Sequence, residues 1–227
     1  MIVGRGLIAL AFNESYKENH SFTIFASGVS NSNETDPLQY MREKQMILDH
    51  IDNQSVFVYF STCSVYDSYL NASKYVQHKL EMELLIKNQC NRFVLFRLPQ
   101  VAGFSKNKNT LMNYFSNKII NDDQFELFDV ERNIIDINDV FRIIDNYLNL
   151  DSSHYLNRII NIAFPKNIKV ISLVNVMESF YNKKAKYTIR KIQGYSLNIE
   201  IEERVRKSFI SLDVNEYLST ILSKYYV

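Results

Sequence analysis

The chain has 227 residues, 46% hydrophobic and 13% aromatic, with three prolines and five glycines, enough to bury the core of one globular domain carrying a small appendage. Its 26 Lys+Arg and 25 Asp+Glu interleave to a net charge of +1, which supplies no electrostatic footprint for nucleic acid. The apolar runs at residues 56–60 and 93–96 are far shorter than the roughly 20 residues a membrane span needs, and two cysteines with four scattered histidines are too few for a disulfide framework or a structural metal site.

Met1-Ile2-Val3-Gly4 has no basic segment ahead of an apolar stretch, so no signal peptide is expected and the cytoplasm is the expected location. Ile2-Val3 reads as a short strand running into Gly4-Arg5-Gly6, after which apolar residues recur at helical spacing through Phe12. Residues 22–26 form a β-branched and aromatic strand that ends at Ser27-Gly28 and leads into a polar loop. Asp36 is the expected N-cap and Pro37 the first turn of a helix continuing through Met41, Met46, Ile47 and Leu48. A strand at 56–60, a loop at 61–71, a helix at 73–87 and a strand at 93–98 follow. Strands that are continuous apolar runs and alternate with helices predict an α/β fold, a parallel sheet covered on both faces. Beyond Pro99 the pattern predicts a helix at 110–120, a strand at 125–128, a helix at 140–148, a strand at 158–163 and a helix at 170–181. A Lys-rich strand at 184–189 and a closing helical region at 217–226 complete the chain, residues 165–227 forming a small lobe packed on the sheet domain of residues 1–164.

Gly4-Arg5-Gly6-Leu7-Ile8-Ala9 follows a strand and opens a helix, the context that a G-x-G-x-x-G/A dinucleotide fingerprint requires; the same six residues fit a plain glycine turn equally well. Tyr75-Val76-Gln77-His78-Lys79 places Tyr75 and Lys79 on one helix face, and an ammonium beside a phenol favours the phenolate, which equips a tyrosine for acid–base work. Thr62 stands just past the strand at 56–60, where its hydroxyl can reach the same substrate oxygen. Gly4, Ser27-Gly28, Thr62 and Pro99 all fall at carboxyl ends of strands, where parallel sheets bind ligands.

The ordered series Gly4-Arg5-Gly6-Leu7-Ile8-Ala9, Ser61-Thr62-Cys63-Ser64-Val65-Tyr66, Tyr75-Val76-Gln77-His78-Lys79, Phe96-Arg97-Leu98-Pro99-Gln100-Val101-Ala102-Gly103 and Arg132-Asn133-Ile134-Ile135-Asp136-Ile137-Asn138-Asp139-Val140 resembles the extended short-chain dehydrogenase/reductase family, the NAD-dependent epimerases and dehydratases of nucleotide sugars. The resemblance implies a Rossmann-like NAD(P)-binding domain over residues 1–164, with 105–133 contributing to the substrate lobe of 165–227. It also implies a catalytic group of Tyr75 as acid/base, Lys79 on the nicotinamide ribose and Thr62 on the sugar oxygen. Gly4, Arg5, Gly6, Leu7, Ile8, Ser27, Gly28, Lys79, Pro99 and Val101 would hold NAD or NADP. Cys63, Ser64 and Gln100 would touch a nucleotide-sugar substrate. A homodimer through the helix carrying Tyr75 and its neighbour at 36–51 is implied as well, with no nucleic-acid or membrane partner.

Two departures from the family pattern shape the functional expectation. The strand ending at Ser27-Gly28 arrives directly after the first helix, so the two strands that cradle adenosine in the family are missing, and no acid near Ile24–Gly28 is placed to hold the adenine ribose. Arg5 either compensates by meeting a phosphate or is a solvated turn residue. Cys63-Ser64 stands where family dehydratases carry two acids, which favours ketone reduction or epimerisation over dehydration. The expected function is thus an NAD(P)-dependent reductase or epimerase of a nucleotide-linked sugar. The alternatives are a non-catalytic sugar-nucleotide-binding or partner protein, and an isomerase using proton transfer alone. Cys63 is expected as a small apolar filler that could also touch substrate, His78 on the surface, Asp136 and Asp139 as caps ahead of Val140, and Lys183, Lys184 and Lys186 in a solvated turn and strand edge.

Overall fold

The computed structural model describes residues 1–105, 107–108, 110–209 and 213–226. In chain order its main elements are β1 (Ile2–Val3), α1 (Leu7–Tyr16), β2 (Phe22–Phe25), α2 (Pro37–His50), β3 (Val56–Thr62), α3 (Lys74–Gln89), β4 (Phe93–Leu98) and β5 (Gln100–Ala102). Then come α4 (Leu111–Ile120), β6 (Gln124–Asp129), β7 (Glu131–Arg132), β8 (Ile134–Asp136), α5 (Ile137–Leu148), β9 (Arg158–Asn161), β10 (Ile168–Lys169), α6 (Val170–Tyr181), β11 (Lys186–Lys191), α7 (Glu203–Lys207) and α8 (Val214–Tyr225). No helix among the described residues is long and apolar enough to cross a membrane.

The central sheet runs β1-β2-β3-β4-β9, every pair parallel. Its strands are apolar on both faces because both faces are covered. Val56, Val58 and Phe60 of β3 and Val94, Phe96 and Leu98 of β4 point into a core with Phe12 and Tyr16 of α1 and Val140, Ile143 and Ile144 of α5. The intervening Phe57, Tyr59, Phe93 and Leu95 point the other way, against Ile47 of α2 and Met82 and Ile86 of α3. β1 is the edge strand, paired only with β2 among the described residues, as the sequence departure above requires.

The predicted helices and strands form with small shifts. Asp36 caps α2 by accepting from Leu38 N, and Ser73 caps α3 by accepting from Val76 N. The Lys-rich strand starts at Lys186, because Glu178 binds Ala185 N and Lys184 Nζ and thereby turns residues 183–185 into the α6–β11 connection. Four short strands absent from the sequence reading help tie the second half of the chain together, β5 pairing with β8 in parallel and β7 with β10 antiparallel, while the expected strands β6 and β11 pair with each other in parallel. Residues beyond 165 share the α1/α5-side core, with Leu173, Met177, Leu218 and Ile221 buried in it. Asp136 caps α5 through Asn138 N and also accepts from Lys224 Nζ (2.9 Å) and Tyr225 Oη (2.7 Å), anchoring the last helix. Asp139 is not a cap; it sits in the first turn of α5 and accepts from Tyr217 Oη and Arg142.

Asp136→Ala removes a cap and two charged or phenolic anchors together, and should lower unfolding free energy by about 2–4 kcal/mol. Urea unfolding checks this, with Lys191→Ala at the exposed end of β11 leaving the midpoint unchanged.

Candidate functional site

A cleft of about 450 Å³ opens at the carboxyl ends of β1–β4. Arg5, Gly6, Leu7, Ile8, Ser27, Gly28, Pro99 and Val101 line it together with Thr62, Ser64, Tyr75, Lys79 and Gln100, so nearly every residue singled out in the sequence meets in one place. Gly4 stands behind it: at φ +135°, its backbone lies so close to β2 that a Cβ would sit 2.3 Å from the Ala26 carbonyl oxygen. Cys63 lies off the cleft. It is buried, its Sγ donates to the Arg97 carbonyl oxygen at 3.3 Å, and burial pushes its thiol pKa up, which matches a small filler and not a nucleophile.

The first turn of α1 faces this cleft. Gly6 is its N-cap in extended conformation, with no side chain capping the turn, and a Cβ at Gly6 would project into open space. Uncapped N–H groups at a helix start attract anions. The charged residues lining the cleft are Arg5, Arg42 and Lys79, with no carboxylate among the described lining residues.

Beneath the cleft lies a buried polar cluster that the sequence reading missed. Glu43 of α2 is fully buried and accepts four hydrogen bonds: from Tyr59 Oη (2.7 Å) and Lys79 Nζ (2.9 Å) on Oε1, and from Val29 N (2.7 Å) and His78 Nε2 (3.0 Å) on Oε2. Burial alone would raise the Glu43 pKa, but the Lys79 charge and the His78, Tyr59 and Val29 donors outweigh it and hold the carboxyl well below the usual carboxylate range. Lys79 Nζ also donates to Tyr59 Oη at 3.1 Å and lies 6.0 Å from the Tyr75 ring centroid. Two of its three N–H bonds thus go to the protein, and the third remains for the cleft. The loop after β2 rests directly on this pair: a Cβ at Gly28 would lie 2.5 Å from Lys79 Nζ and 2.7 Å from Glu43 Oε1.

His78 is therefore not on the surface. It is buried, with Tyr40 of α2 packed 4.6 Å from its ring, because α2 covers that flank of α3 while the sheet covers the adjacent one. Helical spacing places Tyr75 and Lys79 on one face but carries no information about a second neighbour.

A second buried pair fixes Thr62. Arg97 of β4 binds Glu83 of α3 bidentately, Nε to Oε1 at 2.8 Å and Nη2 to Oε2 at 2.7 Å. Ser61 Oγ donates to Glu83 Oε1 at 2.6 Å and Arg97 Nη1 to Tyr66 Oη at 2.8 Å, so residues on both sides of Thr62 are tied down. Thr62 Oγ1 itself accepts from Ser64 N at 3.1 Å, which leaves its O–H to donate. A side pocket lined by Cys63, Ser64, Asp67, Gln100, Arg132 and Leu197 adjoins the cleft. There Asp67 accepts from Arg132 Nη1 (2.9 Å) and Tyr195 Oη (3.2 Å), bringing residues 195–197 against the loop after β3.

Removing the Glu43 charge strands Lys79 in the interior, so Glu43→Ala should destabilise by about 3–5 kcal/mol in urea unfolding at neutral pH. A depressed folded pKa means that this contribution is complete above the unfolded-state value, about 4.3, and disappears as pH falls toward the folded one. Stability of the unaltered chain should drop below about pH 4 more steeply than that of Glu43→Gln; equal slopes would show that the carboxylate is not held in this way.

No protein-family model and no curated protein sequence matches the chain. Solved structures do. RMD from Pseudomonas aeruginosa, complexed with NADPH, superposes with a TM-score of 0.68 at 15% identity, over 98% of this chain and 87% of that one. The dTDP-glucose 4,6-dehydratase of Bacillus anthracis in complex with NAD gives 0.69 at 13% identity, over 98% and 78%. The UDP-N-acetylglucosamine 4-epimerase of Methanobrevibacter ruminantium, in complex with UDP-N-acetylmuramic acid, gives 0.67 at 13%, over 90% and 75%. The fold of this chain is accordingly the Rossmann-like fold of the extended short-chain dehydrogenase/reductases, in a form shorter than these neighbours.

Proposed function

We propose that the chain is an NAD(P)-dependent reductase or epimerase of a nucleotide-linked sugar, with Thr62, Tyr75 and Lys79 as its catalytic group. The observation that carries this reading is the convergence of those three side chains on one cleft at the carboxyl ends of parallel strands, in a fold shared with nucleotide-sugar epimerases and dehydratases. The residues present suit the nicotinamide end of the cofactor: the uncapped α1 start at Gly6, the bare Gly28 backbone over Lys79, and Pro99 and Val101 on the opposite wall. When bound, a nicotinamide dinucleotide supplies the hydride donor or acceptor that side chains lack.

The chain's own groups divide the remaining work. The free Lys79 N–H holds a ribose hydroxyl, and its ammonium lies beside the Tyr75 ring. Tyr75 exchanges the proton of the reacting sugar oxygen. The Thr62 O–H, freed by the Ser64 N contact on its oxygen, donates to that same oxygen. Ser64 and Gln100 line both the cleft and the side pocket, which supports a sugar site between the cleft and the 195–197 segment. Cys63-Ser64 in place of two acids leaves no acid–base pair for eliminating water, which favours ketone reduction or epimerisation. A homodimer across α2 and α3 belongs to the same reading, supported by the exposed Leu38, Met41 and Leu84 on those helices.

A second reading has its own support in the edge position of β1 and the carboxylate-free cleft: a sugar-nucleotide-binding protein without turnover. Turnover distinguishes the two. With NAD(P)H and a panel of nucleotide-linked keto sugars, Tyr75→Phe should lower kcat by roughly 10²–10⁴-fold while sugar-nucleotide binding persists. A native chain that binds nucleotide sugars yet never oxidises NAD(P)H would favour the second reading. Light scattering should show a dimer that Met41→Lys converts to monomer.

A further inference from the structure

We propose that the cleft is built for a single nucleotide unit: it takes the nicotinamide mononucleotide half of the cofactor, with its phosphate held between Arg5 and Arg42, and the adenosine half adds little affinity. This assignment rests on the cofactor reading above and specifies which part of that ligand the chain recognises.

Doubly wound sheets bind dinucleotides with two mononucleotide-binding halves, one on each side of the strand where the order reverses. Here that strand, β1, is the edge. It pairs with β2 on one side and with no described strand on the other. The strand ends that border the cleft therefore all belong to one half, and the acid that would grip an adenine ribose is absent from its lining.

The charge in the cleft is concentrated where a phosphate of the remaining half would lie. Lys79 is neutralised by Glu43, whereas Arg5 and Arg42 form no ion pair among the described residues. Both flank the β1–β2 exit. Arg5 follows Gly4, whose backbone abuts the Ala26 carbonyl, and Arg42 donates from Nη2 to the Ser27 carbonyl oxygen (3.0 Å) and from Nη1 to Ser27 Oγ (3.2 Å). Those contacts use the Nη1/Nη2 end of the guanidinium and leave its Nε edge for two parallel bonds to a phosphate. The uncapped first turn of α1 lines the same cleft. Arg42 was not singled out in the sequence, because nothing local marks a helical arginine whose partner, Ser27, lies 15 residues away.

Calorimetric titration of the full chain with NAD⁺, NADP⁺, nicotinamide mononucleotide and ADP tests the assignment, alongside Arg5→Ala and Arg42→Ala, two exposed positions. The mononucleotide should bind within roughly tenfold of NAD⁺, ADP at least roughly tenfold more weakly, and each alanine variant should weaken both nicotinamide ligands equally, by roughly five- to twentyfold. A mononucleotide more than roughly a hundredfold weaker than NAD⁺, or ADP as tight as NAD⁺, would overturn the single-unit assignment while leaving the cofactor reading intact. Unchanged affinities in both arginine variants would overturn the phosphate grip. Failure of NAD⁺, NADP⁺ and the mononucleotide alike would remove the cofactor reading and this assignment with it.

Discussion

A carboxylate buried without exposure, Glu43, holds together the three elements that frame the cleft. Its oxygens join α3 through Lys79 and His78, β3 through Tyr59, and the loop after β2 through Val29 N. Desolvating such a charge costs several kcal/mol unless every lone pair is answered, and here the surrounding donors answer them. The same arrangement fixes the Lys79 ammonium against Gly28 at the lining of the cleft. Glu83 and Arg97 perform a parallel task one turn further along α3, holding the strand end that carries Thr62. Lys79 and the strand end that carries Thr62 are positioned by ion pairs between helix and sheet, and the apolar core packs around them.

The second constraint is the edge at β1. A two-residue strand with one partner among the described residues has little to hold it, and it is retained by the close Gly4–Ala26 backbone approach and by Ile24 N and Ala26 N donating to the Met1 and Val3 carbonyl oxygens at 2.9 and 2.7 Å. Neighbours of the same fold are longer, this chain covering 87% and 78% of two of them.

Much of this was legible in the sequence where the signal is local. Apolar strands alternating with helices, the caps at Asp36 and Asp136, and the convergence of Gly6, Ser27, Thr62, Tyr75, Lys79 and Pro99 on strand ends all follow from short-range pattern and from where parallel sheets bind ligands. The short strands β5, β7, β8 and β10 were not legible, since two or three residues carry no period and are created by their partners. Glu43 and Lys79 are 36 residues apart, and nothing near either announces the other. One signal was available and unused: Arg97 interrupts an otherwise apolar strand buried on both faces, and a charge there demands a buried acid on the covering helix.

The central claim, that a nicotinamide nucleotide occupies the cleft between the α1 start and Lys79, is tested most directly by NADH fluorescence titration of the native chain and of Gly6→Asp, whose carboxylate would enter open space beside the first turn of α1. The account expects saturable micromolar binding to the native chain and its loss in the variant, with thermal unfolding of the variant confirming that it folds. Binding that is absent at millimolar NADH, or unaltered when residue 6 carries a carboxylate, would contradict it.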